Sequence, residues 1–355
     1  MTDSLPAPII QAITRARALL LRRDMESATR LVQTYGQIWV RLQQQLKTVD
    51  DAIAAGRDQQ YLKDRVLALA RQVEDEVARY AIYADQEVAN QVRTSIGQGL
   101  GDAVNAVQAR LWPHGGAVIQ ARWHHLPADA VETMLGMTGP SSPLYARMTE
   151  RLGASVADGV RQGLTEGIAL GYNPVKIQNR LRQTLGQGLT WSLSATRTAQ
   201  LWAYREATRA GYLANSDIVS SWVWSAALDG RCCLSCWAKH GTVHPLSEPL
   251  NDHWCGRCAA IPNTRSWAEL GFEGIPETGA EIEPGETVFA GLDEQTQRQL
   301  MGESMWKAWK DDAFQFSDLS TPYQDDVYGE MWTEASLKGI LGEKAKDYYK
   351  QKEAA

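Results

Sequence analysis

A mostly helical α+β fold is what this sequence predicts, and three features carry the prediction. Near the N-terminus two long stretches repeat apolar residues every three or four positions; a short alternating segment, Val219–Ser225, ends in tryptophans; and all five cysteines of the 355 residues fall between 232 and 258. The expected arrangement is a long N-terminal helical hairpin followed by a helical, small-sheet domain with a zinc-knuckle segment.

The hairpin comes first. From Leu21 the apolar positions Leu21, Met25, Ala28, Val32, Tyr35, Trp39, Leu42, Leu46, Val49 and Ile53 alternate in steps of four and three, the spacing of a coiled-coil seam. Ala55-Gly56-Arg57-Asp58 supplies a stop and a fresh N-cap. A second stripe then runs through Leu62, Val66, Leu69, Val73, Val77, Tyr80, Ala84, Val88, Val92 and Ile96, drifting toward steps of four, which favours ordinary helix packing over a long supercoil. Gly97-Gln98-Gly99-Leu100-Gly101 predicts a bend before a last helical stretch ending near Trp112-Pro113. Residues 1–112 therefore form the hairpin segment.

Residues 113–142 look like a connector with one short helix after Leu126-Pro127. Residues 143–285 form the next domain: a helix stopped by Gly171, another starting at Asn173-Pro174, a third from Trp191 to Leu213, the strand, and the cysteine segment 229–262. Residues 286–355 read as an acidic, aromatic-rich helical region ending in a frayed, lysine-rich tail. No apolar run approaches the roughly 18 residues of a membrane span, and Arg15 and Arg17 interrupt the N-terminal apolar residues, so a soluble protein with reduced thiols is expected.

The net charge of −6 is uneven. Lys plus Arg against Asp plus Glu is 14 to 13 for residues 1–112, 14 to 11 for 113–271 and 8 to 18 for 272–355. A general DNA-coating protein needs a basic stripe, which this distribution lacks. The acidic segment 303–337, with Trp306, Trp309, Phe314, Phe316 and Trp332, is expected to dock on a basic partner surface.

The cysteines carry the chemistry. Cys233-x2-Cys236 is followed after 18 residues by Cys255-x2-Cys258, the spacing of a four-thiolate zinc site: each two-residue gap turns two sulfurs toward a point about 2.3 Å away. Cys232, His240, His244 and His253 lie close enough to replace one ligand, His253 best of all because it stands two residues before Cys255. Four thiolates leave no open coordination position, so a structural zinc with no catalytic residue and no enzyme activity is expected. Free or redox thiols and another metal are the competing readings.

Thr196-Arg197-Thr198 on a helix through Tyr212, Trp222-Val223-Trp224, Asp229-Gly230-Arg231, Cys233-x2-Cys236 and His253…Arg257-Cys258-x3-Pro262 resemble the phage head-morphogenesis family, the Mu F-like minor head proteins of tailed phages. Coverage is best over 155–262, and Glu286–Asp293 with Gln297–Gly302 is similar to the C-terminal part of such proteins. Three positions depart from the pattern: Ala199 replaces a glutamate, Cys232 a threonine, and Cys255 stands one place earlier than the family's cysteine. The resemblance implies a minor, portal-proximal component of the virion head, assembled in the host cytoplasm, present in several copies, with portal and capsid or scaffold proteins as partners. It also implies a role in DNA packaging or ejection, with contact to packaged DNA and no membrane.

Two other classes compete. A zinc-dependent, HNH-like nuclease would use His240, His244 or His253 as base and Asp229 or Asp252 as cation ligand, but Pro245 and Pro249 make the required helix unfavourable. A zinc-ribbon DNA-binding protein would stack bases on Trp222, Trp224, Trp237 and Trp254, residues that more often form the miniature core of such a site.

Overall fold

A computed structural model describes residues 7–126, 128–159, 162, 174–277 and 282–349. The fold is mostly helical with two small antiparallel sheets, as the pattern predicts. Two compact units emerge: Leu19–Ser95 with Glu132–Gln200, and Met1–Ala18 with Ile96–Val131 and Leu201–Ala355. They cut across the segments expected from the sequence, since the 1–112 hairpin supplies residues to both.

The first unit is a helical bundle. Helices α1 (Ala7–Ala54) and α2 (Gln59–Arg110) are joined by a tight turn. Gly56 is left-handed at φ 64°, Arg57 N–H donates to Ala52 O at 3.1 Å, and Asp58 Oδ1 caps the next helix by accepting from Tyr61 N–H at 2.8 Å. The ion pairs Arg30–Glu87 and Arg41–Glu76 run in opposite order along the two helices, which makes them antiparallel. Along the chain α3 (Gly115–Arg122), which belongs to the second unit, precedes α4 (Ala128–Leu135), α5 (Pro143–Met148), which continues through a π-type turn at Thr149–Ala154, and the long α6 (Pro174–Ala214). Within this unit α6 bonds both hairpin helices: Tyr35 Oη donates to Leu185 O at 2.7 Å, Tyr80 Oη and Ser192 Oγ are 3.0 Å apart, and Arg197 pairs with Asp24.

Three expectations need correction. The heptad seam on α1 is only half used: Leu21, Met25 and Val32 are exposed, while Leu20, Asp24, Ser27, Leu31, Tyr35, Ile38 and Leu42 are buried. A 3.5-residue repeat drifts by about 20° per heptad on a straight 3.6-residue helix, so the seam starts outside and turns inward toward Leu42 and Val49. The expected bend at 97–101 is absent, because α2 runs unbroken to Arg110 and Gly99 serves close packing: a side chain there would strike Tyr204 O. Residues 174–214 likewise form one helix, not two; Gly188 lies against Val156 and Tyr35, where a Cβ would come within 2.9 Å of Val156 Cγ2. The Gly171 stop, Asn173 and the tail beyond 349 lie outside the described residues.

The second unit is built on a sheet of order β2-β1-β3: β1 (Val219–Ser225) pairs antiparallel with β2 (Val243–His244) and β3 (Ala259–Thr264). Trp222 and Trp224 on one face join Tyr212, Leu246, Leu250 and Trp267 in a buried cluster. Helix α7 (Leu234–Lys239) lies within the cysteine segment and carries Cys236. Residues 286–349 are not purely helical: after α8 (Gly285–Ala290), α9 (Glu294–Met301) and α10 (Glu303–Lys310), β4 (Ser320–Asp325) and β5 (Gly329–Glu334) form an antiparallel hairpin, followed by α11 (Leu337–Leu341). The turn residue Gly329 has φ 76°, the conformation glycine adopts without cost. The aromatic residues expected to dock outward pack inward instead: Trp306, Phe314 and Phe316 are buried with Leu234, Trp237 and Phe289. Among the described residues no helix is long and apolar enough to cross a membrane.

Candidate metal centre

The cysteine segment folds as two turns that meet beneath the β2-β1-β3 sheet. The first opens α7, with Cys233 in extended conformation at the N-cap and Cys236 one turn on, so both sulfurs face the same side. The second follows Asn251, and its organiser is Asp252, which is 1% exposed. Asp252 Oδ1 accepts from His253 N–H at 2.9 Å, and Oδ2 accepts from Cys258 N–H at 3.1 Å and from Arg205 Nη2 at 3.1 Å. Gly256 fits flush against that carboxylate, which any side chain at this position would strike. Arg205, on α6 and also buried, donates in addition to Cys258 O at 3.0 Å and Gly256 O at 2.6 Å. A buried carboxylate and guanidinium thus neutralise each other and use their remaining bonding capacity on the loop backbone.

Two groups of donor atoms lie within 4.8 Å of one another, Cys233, Cys236 and His253, and Cys236, Asp252 and Cys258. Cys236 belongs to both. His253 Nε2 stands 3.2 Å from Cys233 Sγ and 3.4 Å from Cys236 Sγ, close to the edge of about 3.5–3.8 Å that a tetrahedron of zinc–sulfur and zinc–nitrogen bonds requires. His253 Nδ1 is 2.8 Å from Trp254 O, so a proton on Nδ1 directed at that carbonyl leaves Nε2 as the free donor. Clustered sulfur and imidazole donors suit a borderline-soft ion, and this cluster can hold a metal.

Cys255, one of the four ligands expected from the spacing, belongs to neither group. The reason is conformational: His253 O accepts from Gly256 N–H at 2.9 Å, closing a turn in which Cys255 takes φ 59°. Such a turn re-aims its third residue, and His253 enters the cluster in its stead. Cys232 lies at the edge of both buried clusters, its Sγ 3.8 Å from Cys233 O. His240 is apart from the donors, its Nδ1 accepting from Ala226 N–H at 3.0 Å, and His244 is stacked on Trp222 with ring centroids 4.4 Å apart and is paired with Glu248. Asp252 and Arg205 are the residues the sequence reading missed as a pair; a buried acid next to His253 was visible, but its partner lies 47 positions away.

The electrostatics fit a thiolate–imidazolium cluster when no ion is bound. Hydrogen bonding from Cys236 and His253 overcomes burial and brings Cys233 down to about 5, while the hydrogen bond to Cys233 and the Asp252 charge overcome the burial of His253 and carry it up to about 9. Burial would raise the Asp252 carboxyl, but Arg205 and His253 outweigh it and hold it below the ordinary carboxylate range. Burial pushes the Cys258 thiol up. A metal entering this group replaces protons as the counter-charge of the sulfurs.

Around the cluster, Arg257 pairs with Asp229 through two bonds, joining the last motif of the segment to the first. Arg17 Nη2 reaches Ser225 O at 3.0 Å and Ala226 O at 3.2 Å, fixing the end of β1. Trp222, Trp224 and Trp237 are at most 2% exposed and present no face on which a base could stack. No protein-family model, curated protein or solved structure matches this chain.

Proposed function

We propose that this chain is a minor head protein of a tailed phage, a non-catalytic assembly component, in which Cys233, Cys236, His253 and Cys258 hold one structural zinc ion. The observation that carries the reading is the convergence of the segments on which the resemblance rests. Trp222 and Trp224 floor the sheet, Asp229 pairs with Arg257, and the Cys236 sulfur joins two donor groups, one with Cys233 and His253 and the other with Asp252 and Cys258. Those residues are dispersed from 222 to 258, and an assembly that needs each of them explains why the sequence carries them together.

Three sulfurs and one imidazole fill a tetrahedron, so the ion they hold has no position for a reacting water and acts as a cross-link. When bound, zinc supplies folding free energy to a segment whose regular structure is limited to a six-residue helix and two short strand pairings. The chain's own residues do the rest: Asp252 and Arg205 shape the second turn, and Trp254 O orients the imidazole. Portal, capsid or scaffold proteins are the proposed partners, and the virion head is the proposed location.

Mass spectrometry of purified particles tests the assembly role, with the chain expected at a few copies per particle. Its absence from particles of a phage that encodes and expresses it overturns that role. Elemental analysis of the purified chain tests the ion, with about one zinc per chain expected; metal-dependent cutting of DNA that His253→Ala abolishes would replace the structural reading with a nuclease.

A further inference from the structure

Helix α7 is a wall shared by two cores. Cys236 packs with Trp222, Trp224 and Cys258, whereas Leu234 and Trp237 on the same short helix pack with Phe289, Trp306, Phe314 and Phe316. The β4–β5 hairpin then grips both ligand-bearing segments. On α7, Leu234 N–H donates to Glu334 Oε2 at 3.2 Å, Ser235 Oγ lies 2.8 Å from Ser320 Oγ, and Lys239 Nζ sits 3.1 Å above the Trp332 ring. On the second turn, Trp332 N–H donates to Asn251 O at 3.0 Å and Trp254 Nε1 donates to Asp325 Oδ2 at 2.9 Å. Asp252 and His253 lie between those last two anchors.

We propose that metal occupancy and the seating of the C-terminal region 286–349 are linked: the ion holds that region closed, and the closed region slows loss of the ion. This rests on the metal reading above. Two cross-links, one of sulfur and metal and one of hairpin hydrogen bonds, fix the same mutual placement of residues 233–239 and 251–254. Whichever forms first orders the 240–250 loop between them, and the second then forms without that entropic cost. By reciprocity, the factor by which the ion favours the seated hairpin equals the factor by which the seated hairpin favours the ion.

Hydrogen exchange on the full chain, with and without a chelator and with metal release followed in the same sample, tests this. Chelation should raise exchange in 320–334 together with 229–262. In the reverse direction, Trp254→Phe, which removes the indole N–H donor, and Glu334→Leu, which removes the carboxylate acceptor, should release metal to a chromophoric chelator about tenfold faster, while the surface control Glu343→Gln should release at the wild-type rate. Metal released with 320–334 still protected, or wild-type release from both variants, overturns the linkage and leaves the metal reading intact. A chain that takes up no zinc overturns both.

Discussion

Two turns in this protein carry the same Cys-x-x-Cys spacing and put it to different use. The first, Cys233 to Cys236, opens a helix, and both of its sulfurs reach the cluster. The second, Cys255 to Cys258, is folded around the buried carboxylate of Asp252, and only its last sulfur arrives while His253 supplies the other donor. Spacing therefore limits which atoms can meet, and the backbone decides which do. In the second turn that decision is made by a salt bridge that is not itself in the donor set proposed here, since Arg205 fixes Asp252 and Asp252 fixes the amides of His253 and Cys258.

The comparison is broken most severely at the atom both donor groups share. Cys236→Ser should bring zinc content from about one per chain to near zero by elemental analysis, with loss of the cooperative unfolding transition of this unit, because apparent structural-zinc binding energies are about 10–16 kcal/mol. Asp252→Asn leaves Arg205 buried without its counter-charge, and denaturant unfolding should report a loss of about 3–5 kcal/mol. His253→Ala should weaken zinc about 100-fold in a competition titration, the upper end of what loss of an orienting partner costs and a lower bound for a ligand. Gly256→Ala forces the second turn off the Asp252 carboxylate and should cost about 1–3 kcal/mol. Cys255→Ser, at the matching position of the spacing, should keep its zinc and lose less than about 1 kcal/mol. If Cys255→Ser releases the ion while His253→Ala retains it, the two turns are equivalent after all and the four-thiolate set is right.

Much of this was legible before any coordinates. The turn at Gly56 and Asp58, the strand Val219–Ser225 and the confinement of every cysteine to one segment are local signals, fixed by residues within a few positions of one another. What was not legible depends on approach between distant segments. Gly99 and Gly188 look like helix breakers along the chain, yet each is the point where another part of the same unit comes closest: the Tyr204 carbonyl for Gly99, Val156 and Tyr35 for Gly188. The seam through Leu21, Met25 and Val32 obeys a heptad, but those three side chains are exposed while Leu20, Asp24 and Leu31 beside them are buried. In the C-terminal region, Met331 faces inward and Glu330 outward on β5, an alternation too short to stand out among helical signals until β4 pairs with it. That His253 and not Cys255 stands in the donor groups goes with one left-handed residue, Cys255 itself, which no spacing rule encodes.

Arg17 bonds to Ser225 and Ala226 across separations of 208 and 209 residues. On a translating ribosome, at about 5–20 residues per second, the arginine waits roughly 10–40 s for the strand it will fix. Ile9, which packs with Ile261, waits longer still. Residues 9 and 17 are thus made well before the strands that complete their surroundings. A pause in elongation before residue 225 therefore prolongs the interval in which Arg17 lacks the strand it fixes.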